Sequence, residues 1–136
     1  MNFAPSLAIL VVDDQQPMRK TIAYILRQEG LKNLNFAEDG ETAWSIINHD
    51  PVDMVLLDWN MPRMSGLELL SRIRRSEQYG RLPVVMITAE ANEEHVLAAI
   101  DAGVTSYIVK PFAPATLIKK MHEAFELAQR LKRQGR

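Results

Sequence analysis

Apolar positions along the chain follow two alternating patterns, one typical of strands and one typical of helices. Five short runs are apolar and rich in β-branched residues, as in strands covered on both faces: Leu7–Val12, Asn33–Ala37, Asp53–Asp58, Pro83–Thr88 and Thr105–Lys110. Between and after these runs, apolar residues recur at helical spacing. The clearest sets are Met18, Ile22, Ile25 and Leu26, and Leu117, Met121, Ala124 and Phe125. Shorter helical patterns cover Glu41–His49, Leu67–Glu77 and Glu93–Ala102.

The residues at the ends of these segments agree with a series of strands and helices. Pro17 suits the first turn of a helix, and Ser65 and Asn92 can cap helix N-termini with a side-chain oxygen. Gly30 and Gly103 can end helices in a left-handed conformation. Five strands alternating with five helices predict an α/β fold, a three-layer sandwich in which helices cover both faces of a five-stranded parallel sheet.

Length and composition indicate a single folded domain. The 136 residues suffice for one domain with a hydrophobic core, and 47% of them are hydrophobic and 24% charged. We expect this domain at residues 7–129, after a short lead at 1–6 and before a short basic tail at 130–136, with no output domain. The chain has no cysteine, which excludes disulfides and thiolate metal sites and favours the cytoplasm.

Charge and hydropathy give no indication of a nucleic-acid or membrane partner. The formal net charge is −1, and the apolar run Leu7–Val12 is too short for a signal peptide or a membrane span. The basic residues Arg130, Lys132, Arg133 and Arg136 suit the negative end of a helix dipole. We expect a monomeric cytoplasmic protein that binds neither nucleic acid nor membrane.

Polar residues suited to phosphate and metal chemistry stand at the carboxyl ends of four predicted strands. Asp13 and Asp14 follow the first strand, Asp58 ends the third, Thr88 the fourth and Lys110 the fifth. Ligands of open α/β sheets bind at this edge. A carboxylate there can attack a phosphoryl group and form an acyl phosphate, while a lysine and a hydroxyl bind phosphate oxygens. We therefore predict a phosphoryl-transfer site with Asp58 as the acceptor.

The three carboxylates also predict a bound divalent cation. Two like charges about 4 Å apart repel by roughly 1 kcal/mol in water and by about 4 kcal/mol at an effective dielectric of 20. Three clustered carboxylates beside one lysine are therefore strained until a cation arrives, and Mg²⁺ prefers oxygen ligands. We expect one Mg²⁺ at Asp13, Asp14 and Asp58, with Mn²⁺ able to replace it.

Several stretches of the chain carry a family resemblance: Ile9–Asp14, Asp58–Pro62 with Met64–Leu70, Val85–Glu90 and Tyr107–Phe112. At these spacings they resemble the receiver domain of two-component response regulators, in particular the single-domain regulators of chemotaxis, from about residue 7 to residue 128. The resemblance implies a flavodoxin-like sheet in the order 2-1-3-4-5. It also implies that a CheA-like sensor histidine kinase phosphorylates Asp58, and that the Lys110–Pro111 bond is cis.

The resemblance further implies roles for the residues around the acceptor. Asp14 and Asp58 are then direct Mg²⁺ ligands, Asp13 acts mainly through water, and the Asn60 backbone carbonyl is a further ligand. Asn60 and Glu90 each lie two residues past the end of a site strand. They are therefore candidates for controlling water access and dephosphorylation.

The resemblance also implies a switch surface that an output protein reads. Thr88 and Tyr107 would form the coupled pair that moves inward on phosphorylation and remodels the face of the last two helices and strand five. A motor switch or a phosphotransfer protein would bind this face around Glu93, Tyr107 and Lys120. Glu93 stands where chemotaxis regulators carry a lysine, and Gln15-Gln16-Pro17 replaces a more hydrophobic and hydroxylated stretch. The kinase, phosphatase and output partners are therefore left open.

Other conspicuous side chains have ordinary structural interpretations. Three histidines share no metal-binding motif and are interpreted as surface residues: His49, His95 and His122. Three arginines are interpreted as a solvated helix face: Arg72, Arg74 and Arg75. Trp59 is expected to be half-exposed in a loop after a strand, and Ser65 to be a helix cap in place of the acid more common in its motif.

Alternative functions fit parts of the same pattern. A dehalogenase-type phosphatase also uses an aspartate nucleophile, but it has a DxD motif after the first strand, where this chain has two adjacent acids. A pseudo-receiver that only binds proteins would lack an acid, Thr88 or Lys110. A relay receiver that passes its phosphoryl group to a histidine phosphotransfer protein is the alternative to chemotaxis or motility signalling. In either pathway we expect a phosphoacceptor switch that catalyses its own turnover, not a conventional enzyme.

Overall fold

Five strands and five helices alternate along the chain in the computed structural model, which describes residues 3–134. The strands are β1 (Ile9–Val12), β2 (Leu34–Ala37), β3 (Met54–Leu57), β4 (Val84–Thr88) and β5 (Ser106–Val109). The helices are α1 (Gln16–Gln28), α2 (Gly40–His49), α3 (Gly66–Arg75), α4 (Glu93–Asp101) and α5 (Pro114–Arg133). All strand pairs are parallel, and the order β2-β1-β3-β4-β5 confirms the predicted fold.

Alternate residues of the buried strands point to opposite faces, so the sheet has a hydrophobic core on each side. In β1, Ile9 and Val11 belong to the core under α1 and α5, whereas Leu10 and Val12 belong to the core under α2, α3 and α4. Helix residues complete the first core: Ile22, Ile25, Leu26, Leu117, Met121 and Ala124. Others complete the second: Ala43, Ile47, Leu69, Leu70, Ile73 and Ala99. Both faces are covered, as the apolar strands predicted.

The helix ends follow the predicted local chemistry. The side chains of Ser65 and Asn92 each accept a hydrogen bond from the backbone N–H three residues further on, which confirms both caps. Pro17 lies in the first turn of α1. Gly30 and Gly103 follow α1 and α4 with φ of 87° and 94°, a region that glycine enters without steric cost.

The last helix includes the first residues of the expected basic tail. α5 continues through Arg133, so residues 130–133 are helical, in agreement with the expectation that these basic residues suit a helix C-terminus. The helix continues because leucine, lysine and arginine are good helix formers, and the basic side chains lie near the negative end of the helix dipole. The tail residues 135–136, with Arg136, and the lead residues 1–2 lie outside the described residues. Although α5 has 20 residues, no helix within residues 3–134 is long and apolar enough to cross a membrane.

The described part of the N-terminal lead packs on α5. The Phe3 ring stacks on His122 with centroids 3.9 Å apart, and it meets Phe125 edge-on at 6.0 Å. His122 is therefore half-buried, not the surface histidine that was predicted, because an aromatic ring covers it. His49 is exposed as predicted.

Arg74 is not part of a solvated helix face, in contrast to the prediction. Its guanidinium donates hydrogen bonds to the carbonyl oxygens of Gly80, Leu82 and Gly103 and to the Thr105 hydroxyl, at 2.6–3.2 Å. Burial lowers the pKa of this arginine from its ordinary value. The arginine joins the end of α3 to the loops before β4 and β5. The arginines at 72 and 75 are exposed, as predicted.

Candidate functional site

The carboxyl ends of four strands bring the predicted polar residues to one edge of the sheet. Carboxylate oxygens of Asp13, Asp14 and Asp58 all lie within 4.8 Å of one another. Lys110 follows β5, and its Nζ lies 2.8 Å from Asp13 Oδ2 and 3.5 Å from Asp58 Oδ2. Thr88 is fully buried at the end of β4. Three carboxylates, an ammonium group and a hydroxyl therefore lie at one edge.

Asp13 accepts three hydrogen bonds, two at its carboxylate and one at its backbone carbonyl. The Gln15 backbone N–H donates to Oδ1 at 2.8 Å, and Lys110 Nζ donates to Oδ2 at 2.8 Å. The Arg19 guanidinium donates to the Asp13 backbone carbonyl. Asp13 is 2% exposed, whereas the next residue, Asp14, is exposed to solvent. Asp14 is therefore the more accessible carboxylate of this adjacent pair.

Asp58 is buried at the end of β3, with 8% of its surface exposed. The Trp59 backbone N–H donates to Asp58 Oδ1 at 2.8 Å, while Oδ2 faces Lys110. Burial raises the pKa of this carboxyl above its ordinary value; the Lys110 ammonium opposes the shift, and the Asp13 carboxylate adds to it. The groups around Asp58 therefore do not fully balance its negative charge, and a further cation would stabilise the ionised carboxylate.

The loop after β4 connects the buried hydroxyl to the rim of the site. The Glu90 backbone N–H donates to Thr88 Oγ1 at 3.3 Å, and the Tyr107 hydroxyl donates to the Glu90 carbonyl. Across the gap, Asn60 Nδ2 donates to Glu90 Oε1 at 2.7 Å. This Asn60–Glu90 bridge joins the loop after β3 to the loop after β4. Burial, and to a smaller extent the Glu90 and Asp58 charges, raise the pKa of Tyr107, so its hydroxyl keeps its proton.

The loop that follows Asp58 returns to the backbone of Asp58 and Trp59 at Gly66. The Gly66 N–H donates to the Trp59 carbonyl at 2.8 Å, and a Cβ at Gly66 would lie 2.0 Å from the Asp58 carbonyl oxygen. Only glycine therefore permits this approach. Further along, Arg63 has a left-handed φ of 63° and forms an ion pair with Asp39, the buried cap of α2.

Asp39 is an anchor for this loop that the sequence patterns did not reveal. Its Oδ1 accepts the Thr42 backbone N–H at 2.7 Å, and its Oδ2 accepts from Arg63. Burial raises the pKa of Asp39, but the Thr42 and Arg63 donors together outweigh this effect and leave the pKa below its ordinary value. An aspartate directly before a helix start is a common cap. The second partner, Arg63, lies on a separate loop, and no local pattern in the sequence indicates this contact.

The residue set fits a hard divalent cation. Three carboxylates converge, and one of them is exposed to solvent, as is expected when an ion keeps several waters. Oxygen ligands without sulfur or imidazole favour Mg²⁺ or Mn²⁺ over zinc. The raised pKa of Asp58 indicates uncompensated negative charge at this position.

Comparison with known proteins agrees with this geometry. The model of the response regulator receiver domain matches residues 9–122. The chain belongs to the response regulator receiver family. The receiver is 46% identical over 121 residues to the chemotaxis protein CheY-3 of Vibrio cholerae serotype O1, covering 89% of this chain and 93% of that protein. It is 42% identical over 120 residues to the chemotaxis protein CheY of Pseudomonas aeruginosa, covering 88% and 97% respectively.

The fold of the receiver matches solved structures as well. The chemotaxis response regulator CheY4 of Vibrio cholerae superposes with a TM-score of 0.80 at 31% identity, covering 87% of this chain and 98% of that one. Phosphorylation on an aspartate is inherent to this family. The resemblance seen in the sequence motifs is therefore confirmed.

The remaining predicted residues lie around this site and on the two last helices. Trp59 is half-buried, as predicted, and the Lys110–Pro111 bond is cis, as the resemblance implied. Glu93 is exposed in the first turn of α4, and Lys120 is half-buried on α5 with its Nζ 3.9 Å from Glu123 Oε1.

His95 is a second residue near the receiver site whose contacts the sequence patterns did not reveal. Its Nε2 lies 3.5 Å from Glu90 Oε2, and its ring meets the Trp59 ring at 4.7 Å between centroids. With 31% of the side chain exposed, it is not the surface histidine that was predicted, because loop residues cover the ring. A search for metal-ligand spacing could not find this residue, since its partners are a carboxylate and an indole on two different loops.

Proposed function

We propose that this receiver accepts a phosphoryl group on Asp58 from a sensor histidine kinase and then changes its protein-binding surface. The observation that carries the proposal is the position of the Asp58 carboxylate, which lies 3.5 Å from Lys110 Nζ and within 4.8 Å of two further carboxylates. Each of the two neighbouring carboxylates is a poorer phosphoryl acceptor than Asp58. Asp13 is already bound by two donors, and Asp14 is exposed to solvent.

In the proposed step, an Asp58 carboxylate oxygen forms a bond to phosphorus while the phosphorus–nitrogen bond of a phosphohistidine breaks. The histidine nitrogen keeps the electron pair, and Asp58 becomes an acyl phosphate. Lys110 and the Thr88 hydroxyl then bind the new phosphoryl oxygens. Water then attacks phosphorus and breaks the new bond between the Asp58 oxygen and phosphorus, which releases inorganic phosphate and restores the carboxylate. The receiver therefore supplies the groups for both halves of its own cycle.

The residues that would hold Mg²⁺ are Asp13, Asp14 and Asp58, with the Asn60 backbone carbonyl as a further ligand; Mn²⁺ could replace it. When bound, the cation neutralises charge on the transferring phosphoryl group. Asp13 is bound by Lys110 and the Gln15 N–H, which agrees with a contribution mainly through water. Asp14 is exposed and free to turn toward a cation.

The switch itself would run through Thr88 and Tyr107. Phosphorylation replaces one negative charge by nearly two and adds acceptor oxygens, which draw the Thr88 hydroxyl toward Asp58. Thr88 Oγ1 would then release the Glu90 N–H, and the Glu90 carbonyl is the acceptor for Tyr107. A movement of Thr88 is thereby passed to Tyr107 through one loop residue.

Chemotaxis or motility signalling is the proposed pathway, because the relatives at 42% and 46% identity are chemotaxis proteins. The kinase would be CheA-like, a phosphatase could assist the reset, and the output face would include Glu93, Tyr107 and Lys120. Because Glu93 on this face replaces the lysine of chemotaxis regulators, a relay to a histidine phosphotransfer protein is the alternative. Capture of the beryllofluoride-loaded receiver by purified motor-switch or phosphotransfer proteins distinguishes the two, since each pathway predicts a different partner.

Mass spectrometry after incubation with acetyl phosphate and Mg²⁺ tests the acceptor. We expect wild type to gain one phosphoryl group, about 80 mass units, and Asp58→Asn to gain none. Asp53→Asn is the matched control, since Asp53 precedes the same strand at its opposite end. The control should be labelled like wild type. Labelling of Asp58→Asn at Asp13 or Asp14 would contradict the assignment.

A further inference from the structure

His95 is held in one orientation by the cap of its own helix. Asn92 Oδ1 accepts the His95 backbone N–H at 2.9 Å, which identifies this atom as the amide oxygen. The same oxygen lies 2.7 Å from His95 Nδ1. Because an amide oxygen only accepts hydrogen bonds, Nδ1 must carry a proton. In the neutral imidazole, Nε2 is therefore the nitrogen without a proton.

This tautomer leaves the Glu90 carboxylate without a donor from His95 until the ring becomes charged. Nε2 lies 3.5 Å from Glu90 Oε2, and a second proton on the ring would turn this contact into an ion pair. The ring contacts the Glu90 carboxylate, the Trp59 indole and the Asn92 amide, and of these three groups Glu90 carries a charge. Imidazole is the side chain that changes charge between about pH 5 and 8.

The ion pair would strengthen the Asn60–Glu90 bridge instead of competing with it. Asn60 binds Oε1, whereas His95 faces Oε2, so the carboxylate can hold both partners at once. Glu90 then loses rotational freedom, and the bridge between the loops after β3 and β4 stays closed for longer. These two loops follow directly from Asp58 and Thr88, so the bridge joins the two loops that flank the acceptor.

We propose that His95 is a positioning residue that holds Glu90 across the mouth of the site and slows hydrolysis of the aspartyl phosphate, more strongly when the ring is protonated. The inference rests on the proposed function, since it concerns the lifetime of phosphorylated Asp58. In this proposal His95 stabilises the Asn60–Glu90 bridge and does not contact the phosphoryl group.

Decay of the phosphorylated receiver at about pH 6 and about pH 8 tests the proposal. At the lower pH we expect wild type to decay about two- to fivefold more slowly than His95→Gln, the effect of a half-exposed ion pair. At the higher pH the two rates should converge. His95→Lys carries a cation at both pH values and should decay slowly at both. The matched control His49→Gln removes an exposed histidine on α2 and should follow wild type.

A purely structural role for His95 predicts a different outcome. In that case His95→Gln would change the decay by the same factor at both pH values, and this result would overturn the proposal. Equal decay of wild type and His95→Gln at both values would overturn it as well. In a Glu90→Gln background the His95 substitution should have no further effect, because the carboxylate that it positions is absent.

The contact can also be measured without any phosphorylation. We expect the NMR signals of the His95 ring at about pH 6 to move in Glu90→Gln relative to wild type, because the carboxylate that faces Nε2 is lost. Unchanged ring signals would overturn the inference even if Asp58 is labelled normally. If wild type instead takes no phosphoryl group, the proposed function fails, and the ring signals alone decide whether His95 is coupled to Glu90.

Discussion

Lys110 is the residue on which the charge balance of the site depends. One ammonium group lies 2.8 Å from Asp13 and 3.5 Å from Asp58, and its side chain is 17% exposed. An ammonium group has three donors, so Lys110 can bind a phosphoryl oxygen on Asp58 without releasing Asp13. Its position immediately after β5 fixes the reach of the side chain, since the Lys110 backbone N–H donates to the Thr88 carbonyl. The lysine is therefore already oriented before phosphorylation.

Asp39 gives a prediction at the same scale. Asp39→Ala removes the cap of α2 and the partner of Arg63, so we expect the free energy of unfolding at neutral pH to fall by about 0.5–2 kcal/mol. Urea unfolding measures this loss. Asp50→Ala, at the exposed opposite end of α2, is the matched control and should change stability much less.

The Asp39 contribution should also depend on pH, with a defined sign. Because the pKa of Asp39 is lowered in the folded state, the unfolded chain binds more protons in the window between the lowered and the ordinary pKa. The stabilisation is complete above the ordinary pKa and is lost as the pH falls through the lowered one. The difference between wild type and Asp39→Ala should therefore shrink on acidification. A constant difference across this range would show that the charge of Asp39 contributes nothing.

At the scale of elements, Arg74 connects α3 to two strands through their preceding loops. Arg74→Ala would leave three carbonyl groups and the Thr105 hydroxyl without this donor. We expect a loss of about 1–3 kcal/mol in the free energy of unfolding, because partly buried carbonyl groups lose their donor. Arg75→Ala removes an exposed arginine from the next position and should stay within about 0.5 kcal/mol of wild type. Similar losses in both variants would refute the assignment to these hydrogen bonds.

The elements themselves were predictable because burial on both faces leaves a strong pattern. Each of the five strands lies within its predicted run, and caps such as Ser65 and Asn92 have local signals. The contacts that sequence patterns could not predict join residues far apart in the chain. Arg74 contacts Thr105 across 31 residues, and Arg63 contacts Asp39 across 24. His95 was missed for the same reason, since it lies in α4 and its neighbour Trp59 lies in the loop after β3.

The site could be predicted further than these contacts because its geometry follows from topology. In a parallel sheet, every strand delivers its last residue to the same edge. To predict that four residues lie together, it was enough to find the correct strand ends: Asp13, Asp58, Thr88 and Lys110. The basic residues in the last turn of α5 were likewise expected at a helix C-terminus, because their charge complements the helix dipole.

For the whole molecule, the acidic group predicts a stability that depends on Mg²⁺. We expect millimolar Mg²⁺ to raise the melting temperature of wild type, since a ligand at 100 times its Kd stabilises the folded state by about 2.7 kcal/mol. Asp14→Ala should melt higher than wild type without metal, because one repulsive charge is gone, and should gain less from Mg²⁺. Glu77→Ala, an exposed charge-matched control, should gain as much as wild type. A melting temperature that Mg²⁺ leaves unchanged would contradict the metal site.

The dispersal of the site over four strand ends has a practical consequence for measurement. No short peptide of this chain contains more than a part of the group, because Asp13, Asp58, Thr88 and Lys110 span nearly a hundred positions and meet only in the sheet. Uptake of phosphate from acetyl phosphate should therefore count native molecules. In a partly denatured sample, the labelled fraction would serve as a direct assay of the folded population, without a spectroscopic baseline.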